Sequence, residues 1–234
     1  MSDNGCVLPT QTVENYLKTI YLAELDRSTS DGLVPMGQLA AALGIAPGTA
    51  TTMVKTLSES GLVHYEPYSG VRLTPAGEKL ASLVLRRHRL IELFLVRILG
   101  MNWSEVHEEA EQLEHAVSDR LIDRIDEMLG RPTVDPHGDP IPSREGTVPD
   151  TDDVDLLTAP VGAPLEITRV VDQDPEFLRF VERHHLIPGN QLVIAERDPA
   201  SDAVRITSHD GRETAIGVRA ASKVLVRTSR EIQP

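Results

Sequence analysis

Apolar residues recur at helical spacing through the first quarter of the chain. Residues 11–26, QTVENYLKTIYLAELD, place them every three or four positions, which predicts a first helix. An Ala- and Leu-rich helix is expected over residues 36–44, and a third helix begins at Pro47 and ends near Gly61. Two short alternating runs on either side of residues 67–70 predict a β-hairpin. Three helices followed by a hairpin are the order of a winged helix-turn-helix.

The rest of the chain predicts a pair of long helices, a linker and a β-domain. Helix-forming residues run from Ala76 to Leu99 and from Trp103 to Leu129, and a glycine follows each run. The first run is basic and the second acidic, so an antiparallel helix pair is expected. Residues 131–164 are rich in proline, which predicts a linker that buries little apolar surface. Short alternating runs beyond it predict a small β-barrel.

These elements predict an α+β fold with three domains. The winged helix-turn-helix takes residues 1–75, a helical domain takes 76–148 and a small β-barrel takes 161–234. A linker rich in Pro and Asp joins the last two over residues 149–160. The third helix would read DNA, because its outer face carries short or flexible side chains that suit a major groove. The expected DNA-binding residues are Pro47, Gly48, Thr49, Thr51, Thr52 and Lys55.

Charge and composition narrow the class of partner. The formal net charge of −13 argues against general adhesion to nucleic acid or to anionic membranes, so any DNA contact must be local. The single cysteine, Cys6, cannot form an intramolecular disulfide, which fits a reducing compartment. The chain shows neither a signal peptide nor a long apolar run. We therefore expect a cytoplasmic protein without a membrane partner.

Histidines and glutamates at helical spacing predict metal binding in the helical domain. His88 and Glu92 would share a face of the first long helix, and His107 on the second could reach both. On one continuous helix His107 and His115 would stand about 12 Å apart along the axis, too far for one mononuclear site. Two sites are therefore expected. The second would use Glu111, Glu114 and His115.

An enzyme is not expected, because the familiar catalytic patterns are missing. The HEEAE sequence at 107–111 is not the zinc-protease pattern HExxH, and Gln112 stands where a di-iron bundle needs a glutamate before His115.

Two alternative functions make different predictions. A metal-buffering protein or metalloenzyme would bind metal tightly but would have no operator. A winged-helix regulator that responds to a small molecule would tolerate loss of His88 and His115. The remaining histidines are expected to be structural or on the surface; they are His64, His137, His184, His185 and His209.

Three segments resemble the diphtheria toxin repressor family, and within it the manganese transport regulator branch. They are RRHRLIELFL at 86–95, EVHEEAEQLEHAVSD at 105–119 and DPHGDPIP at 135–142. The resemblance covers nearly the whole chain. It implies that the helical domain binds metal and dimerises, and that the barrel is SH3-like and similar to the ferrous-transport accessory domain. It also implies a homodimer that binds double-stranded operator DNA when metal is present and represses metal uptake genes.

The resemblance also completes both metal sites, with two ions per protomer. It adds Gln173 and Glu176 to the ancillary site of His88, Glu92 and His107, and Asn15 to the primary site of Glu111, Glu114 and His115. Iron-sensing relatives have Cys at the position of Glu111, so a carboxylate there favours Mn(II), with Fe(II) as the alternative. Relatives commonly have Asp or Met at the position of Asn15, whose neutral amide supplies an oxygen but no charge.

Overall fold

The computed structural model describes residues 10–25, 32–149 and 151–229. Cys6 lies outside these residues. The chain forms two compact units, one of Met1–Arg87 with Pro142–Val148 and the other of His88–Ile141 with Pro149–Pro234. No helix among the described residues combines the length and the apolar character that crossing a membrane requires.

The first unit is a winged helix-turn-helix. Its elements are α1 (Gln11–Leu25), α2 (Met36–Ala42), α3 (Pro47–Glu59), β1 (Val63–Glu66), β2 (Gly70–Leu73) and the first part of α4 (Pro75–Arg97). Pro47 opens α3, where its fixed φ and missing N–H suit a first helical position. Val54 and Leu57 of α3 pack against Leu17 and Ile20 of α1 in one buried core. The core therefore fixes α3 with its opposite side outward.

An isolated β-bridge supports the hairpin of β1 and β2. Val34 and Val71 exchange two backbone hydrogen bonds, from Val34 N to Val71 O at 2.8 Å and from Val71 N to Val34 O at 3.0 Å. Gly70 makes this approach possible, because a Cβ there would lie 2.5 Å from the Val34 carbonyl oxygen. The wing is thus tied to the segment that precedes α2.

The second unit contains a helical part and a six-stranded sheet. After the end of α4 come α5 (Val106–Leu113), α6 (Asp119–Met128), β3 (Val154–Asp155), β4 (Pro164–Val170), α7 (Pro175–Arg183), β5 (Gln191–Asp198), β6 (Ala203–Ser208), β7 (Glu213–Gly217), α8 (Val218–Ala221) and β8 (Val224–Thr228). The strands pair antiparallel in the order β3-β8-β4-β5-β6-β7, and β4 and β5 each contain a register shift. The predicted α+β fold is confirmed.

Two predictions about the middle of the chain are wrong. The helix expected from Trp103 to Leu129 is two helices, because Ser118 has extended backbone and its side chain accepts a hydrogen bond from Leu121 N to begin α6. The proline-rich stretch is not an unpacked linker throughout. Its residues 135–141 are almost entirely buried, since a turn satisfies their backbone groups internally. The domain boundaries themselves stay a prediction.

Candidate metal centre

Two histidines and a glutamate meet where α4 and α5 pack together. The rings of His88 and His107 lie edge to face, with their centroids 4.9 Å apart. Glu92 Oε1 lies 3.0 Å from His88 Nε2 and 3.2 Å from His107 Nδ1. His88 and Glu92 are one helical turn apart on α4, which puts them on one face. The structure thus brings together the first predicted set of ligands, His88, Glu92 and His107.

The second predicted set is brought together only in part. Glu111 and Glu114 join His88 in a group, with His88 Nδ1 2.6 Å from Glu114 Oε2 and 3.8 Å from Glu111 Oε1. His115 is not part of that group, although its Nε2 lies 3.2 Å from Glu114 Oε1. Because α5 ends at Leu113, His107 and His115 do not lie on one continuous helix, as the expected separation had assumed. The two predicted sites instead adjoin through His88.

A third group, which the sequence did not predict, consists of Glu92, Asp135 and His137. All three side chains are buried, and their potential ligand atoms lie within 4.8 Å of one another. His137 Nε2 donates a hydrogen bond to the Trp103 carbonyl oxygen at 2.9 Å, which leaves the lone pair on Nδ1. His137 Nδ1, Glu92 Oε2 and Asp135 Oδ2 have no hydrogen-bond partner within the described parts of the chain. A bound cation would satisfy all three atoms.

The two carboxylates of this group differ in their electrostatics. Burial alone would raise the pKa of Glu92, but hydrogen bonds from His107 and His88 outweigh it and hold that pKa below its usual range. The pKa of Asp135 lies well above its usual range, because burial disfavours its charge and the carboxylates of Asp139 and Glu92 repel it. Arg89 opposes this shift only in part. A divalent cation bound to this group would favour the ionised form of both carboxyl groups.

The donors of all three groups suit a hard or intermediate divalent ion. They are imidazole nitrogens and carboxylate oxygens, which Mn(II) and Fe(II) accept, and no thiolate contributes to them. Leaving a buried polar atom unpaired costs about 1 to 3 kcal/mol, so three such atoms in one small volume are expensive without a ligand. The residues present therefore fit a metal of the predicted class.

The other predicted ligands are not members of these groups. Asn15 is on α1 in the first unit, where its Oδ1 is buried without a hydrogen-bond partner in the described residues and the side chain lines a cavity of about 370 Å³. In the second unit Gln173 donates its amide to Asp139 Oδ2 at 3.1 Å. Glu176 is exposed in the first turn of α7. Metal binding by Asn15, Gln173 and Glu176 stays a prediction.

Sequence reasoning missed Asp135 and His137. It treated their segment as linker and expected His137 to be structural or on the surface, yet the side chain is fully buried. One signal was available, since an Asp and a His two residues apart can place both side chains in one turn when a glycine follows. Gly138 adopts a φ of 86°, which closes that turn.

The predicted DNA-binding side chains lie along one side of α3. Thr51 and Thr52 donate their hydroxyl hydrogens to the carbonyl oxygens of Pro47 and Gly48 at 2.9 Å and 3.0 Å. In this rotamer each threonine side chain presents its hydroxyl oxygen as an acceptor, together with its methyl group. The exposed members of the set are Pro47, Gly48, Thr49, Thr52 and Lys55, whereas Thr51 is half-buried. DNA contact by these residues stays a prediction.

Comparison with known proteins finds similarity along most of the chain. Residues 9–71 match the family model described as the N-terminal DNA binding domain of iron dependent repressors, residues 74–143 match their metal binding and dimerisation domain, and residues 154–228 match the FeoA domain. The iron-dependent repressor IdeR of Mycobacterium leprae is 31% identical over 83% of this chain and 88% of its own length. The regulator MntR of Lysinibacillus sphaericus is 35% identical over 52% of this chain and 84% of its own length.

Solved structures agree with the sequence comparison. A manganese-dependent transcriptional repressor in complex with manganese superposes with a TM-score of 0.83 at 37% identity, covering 93% of this chain and all of the other. At that level of identity the resemblance extends beyond the fold to the sequence.

Proposed function

Because the chain belongs to the iron-dependent repressor family of metal-dependent transcriptional regulators, we propose that it is a manganese-dependent repressor. Its homodimer would bind operator DNA in the cytoplasm when Mn(II) is bound and repress metal uptake genes. The observation that carries the proposal is the thiolate-free set of buried imidazoles and carboxylates around His88 and Glu92. The solved manganese-dependent repressor is a further support.

We propose two ions per protomer. His88, Glu92 and His107 would hold one, and Glu111, Glu114 and His115 would hold the other together with Asn15. Each ion would supply two positive charges that neutralise clustered carboxylates. Glu92 belongs to two groups: its Oε1 contacts the two histidines, and the residue also groups with Asp135 and His137, while its Oε2 has no hydrogen-bond partner among the described residues. Asp135 and His137 are therefore alternative ligands for the ion at Glu92.

On the DNA side, α3 would enter the major groove of each half-site. Thr49 and Thr52 would accept hydrogen bonds from base edges or touch thymine methyl groups, and Lys55 would pair with a phosphate or with guanine. Coupling between metal and DNA is a population shift. If metal binds the DNA-competent state about tenfold more tightly, operator affinity rises by about 1.4 kcal/mol per coupled ion, and DNA tightens metal by the same factor.

The proposal is tested by selecting an operator from random duplex DNA in the presence of Mn(II) and measuring binding by anisotropy at fixed salt. Mn(II) should raise operator affinity at least tenfold. Glu114→Gln should abolish that gain, because Glu114 is fully buried against His88. Glu109→Gln is the matched control, since Glu109 is an exposed glutamate on α5, the helix that ends just before Glu114.

Two outcomes would count against the proposal. Equal operator affinity with and without Mn(II) would refute a metal sensor. Tight Mn(II) binding with no sequence selected from the DNA pool would instead favour a metal-buffering protein.

An iron-dependent repressor of the same architecture is the second candidate function, because the similar protein IdeR is named an iron-dependent repressor.

A further inference from the structure

The segment that carries Asp135 and His137 is a closed turn in the second unit. Asp135 N donates to the Asp139 carbonyl oxygen at 3.0 Å, and Gly138 N donates to the Asp135 carbonyl oxygen at 3.2 Å. Asp135 Oδ1 accepts from His137 N at 2.8 Å and from Asp139 N at 2.9 Å. One oxygen of the Asp135 carboxylate is thus fixed by the turn itself, whereas Oδ2 has no hydrogen-bond partner among the described residues and lies 3.7 Å from Arg89 Nε.

The same turn is packed closely on β4. A Cβ on Gly138 would lie 1.9 Å from the Thr168 carbonyl oxygen, so no larger residue fits there. Val170 N donates to the His137 carbonyl oxygen at 2.9 Å. These contacts fall beside the register shift of β4, between Ile167 and Arg169. The backbone of a candidate ligand, His137, is therefore bonded directly to the sheet.

Asp139 links this turn to both of its neighbours. Its Oδ1 lies 3.3 Å from Arg169 Nε on β4 and 3.6 Å from Arg89 Nη2 on α4. Its Oδ2 accepts the Gln173 amide at 3.1 Å. Asp139 is 8% exposed, so these contacts are partly shielded from water. Arg89 also donates to the carbonyl oxygen of Pro140 in the same turn.

We propose that Asp139 is a positioning residue that couples the Glu92–Asp135–His137 group to the C-terminal sheet. Its backbone N–H holds the carboxylate of Asp135, and its side chain contacts Arg169 of β4 and Gln173 of the loop that follows β4. Ligation of Asp135 and His137 then stiffens the turn and favours docking of β4. By linkage, docking of β4 favours metal binding by the same factor. This inference rests on the proposed metal binding and concerns what that binding controls.

The experiment uses the full-length protein, Mn(II) alone and two readouts. Trp103 is the only tryptophan and stacks on His137 with the ring centroids 5.3 Å apart, so its fluorescence reports Mn(II) at this group. Hydrogen exchange of the amides of residues 164–170 reports docking of β4. In the wild type, Mn(II) should quench Trp103 and slow exchange in β4 about tenfold. In Asp139→Asn that slowing should disappear, and Mn(II) affinity should fall roughly tenfold.

Three further variants make the result decisive. Arg169→Gln removes the partner on β4 while leaving the turn intact, and it should also lose the metal-dependent protection; it carries the test if Asp139→Asn does not fold. Asp210→Asn removes an exposed ion pair of the same sheet domain, with Arg212, and should behave as wild type. Asp139→Glu should restore part of the coupling, because it keeps the charge.

The failures can be told apart. Absence of any Trp103 response to Mn(II) in the wild type would contradict metal binding at this group, and with it the basis of the inference. A wild type that binds Mn(II) without a change in β4 would overturn the coupling alone. Retention of the full β4 response in Asp139→Asn would overturn the role of Asp139, even if Mn(II) affinity fell.

Discussion

Single residues decide the chemistry of the metal centre. Glu92 and Asp135 are both buried carboxyl groups, yet the pKa of Glu92 is lowered by its hydrogen bonds with His107 and His88 while the pKa of Asp135 is raised by burial and by neighbouring negative charges. The difference follows from partners, because Glu92 Oε1 has two imidazoles within hydrogen-bond distance, whereas Asp135 Oδ2 has no hydrogen-bond partner among the described residues and only Arg89 Nε at 3.7 Å. The two carboxyl groups therefore differ in how readily they ionise.

Replacing Asp135 with Asn should stabilise the metal-free protein near neutral pH. Folding raises the pKa of Asp135. The carboxyl group therefore contributes fully to the free energy of unfolding at pH values below its unfolded-state pKa of about 3.9, and this contribution is lost as pH rises through its folded-state pKa. Asn mimics the protonated form at every pH. With chelator present, the variant should unfold at a higher urea concentration than the wild type, and this difference in urea midpoint should increase with pH. With Mn(II) present, the wild type should be the more stable of the two. A difference in midpoint that does not change with pH would contradict the raised pKa of Asp135.

Glu111 should select between metals. Its carboxylate lies 3.8 Å from His88 Nδ1 and 3.7 Å from His107 Nε2, so it is within reach of the predicted ligands. Glu111→Cys introduces a softer thiolate donor, which should shift the ratio of Mn(II) to Fe(II) affinity toward Fe(II) by tenfold or more. Anaerobic titration with each ion measures the ratio. An unchanged ratio would show that another residue makes the selection.

At the scale of elements, packing decides which side of each helix is available. The core holds α3 through Val54 and Leu57, which leaves a side of small hydroxyls and a single lysine for DNA. The outward face of α3 could be predicted because helical periodicity is local in sequence. The length of the helix expected from Trp103 could not be predicted in this way, since periodicity alone does not mark Ser118 as the start of a new helix.

Removing the charge of Lys55 should weaken DNA binding without changing sequence preference much if the side chain pairs with a phosphate. Lys55→Gln should lower the slope of log affinity against log salt by about 0.9, because one fewer counterion is released. Lys79→Gln is the matched control, since Lys79 donates to the Arg144 carbonyl oxygen within the same unit. An unchanged slope together with relaxed specificity at one base pair would assign Lys55 to a guanine instead.

At the scale of the whole molecule, charge makes DNA binding conditional. A net charge of −13 repels DNA, so one protomer with one lysine on α3 is a weak ligand. Two protomers that engage two half-sites, with their carboxylates neutralised by metal, would overcome that repulsion. The matched dimerisation domain supports this arrangement.

The spacing of half-sites should therefore matter. Recognition helices of a dimer read half-sites one helical turn apart, about 34 to 36 Å. Inserting five base pairs at the centre of the operator turns one half-site to the opposite face and should reduce affinity by about a hundredfold in the presence of Mn(II). Substituting five central base pairs without changing the length is the control. Unchanged affinity after insertion would mean that protomers bind independently.

The sequence by itself determined most of the order of elements and most of the candidate metal ligands. Helical and strand periodicities are properties of neighbouring residues, so the winged helix-turn-helix, the helices and the strands could be predicted from them. The pairing of His88 with Glu92 also follows from a single helical turn. The donor types already indicated a hard divalent ion.

Only the tertiary structure decided how the groups are shared. His88 lies between Glu92 and Glu114, and Asp135 and His137 join Glu92 through a turn that sequence assigned to a linker. These residues come from segments that are distant in sequence, and their approach depends on buried backbone hydrogen bonds and on Gly138 packing against Thr168. Local patterns carry no information about such contacts, because packing between segments rather than periodicity creates them.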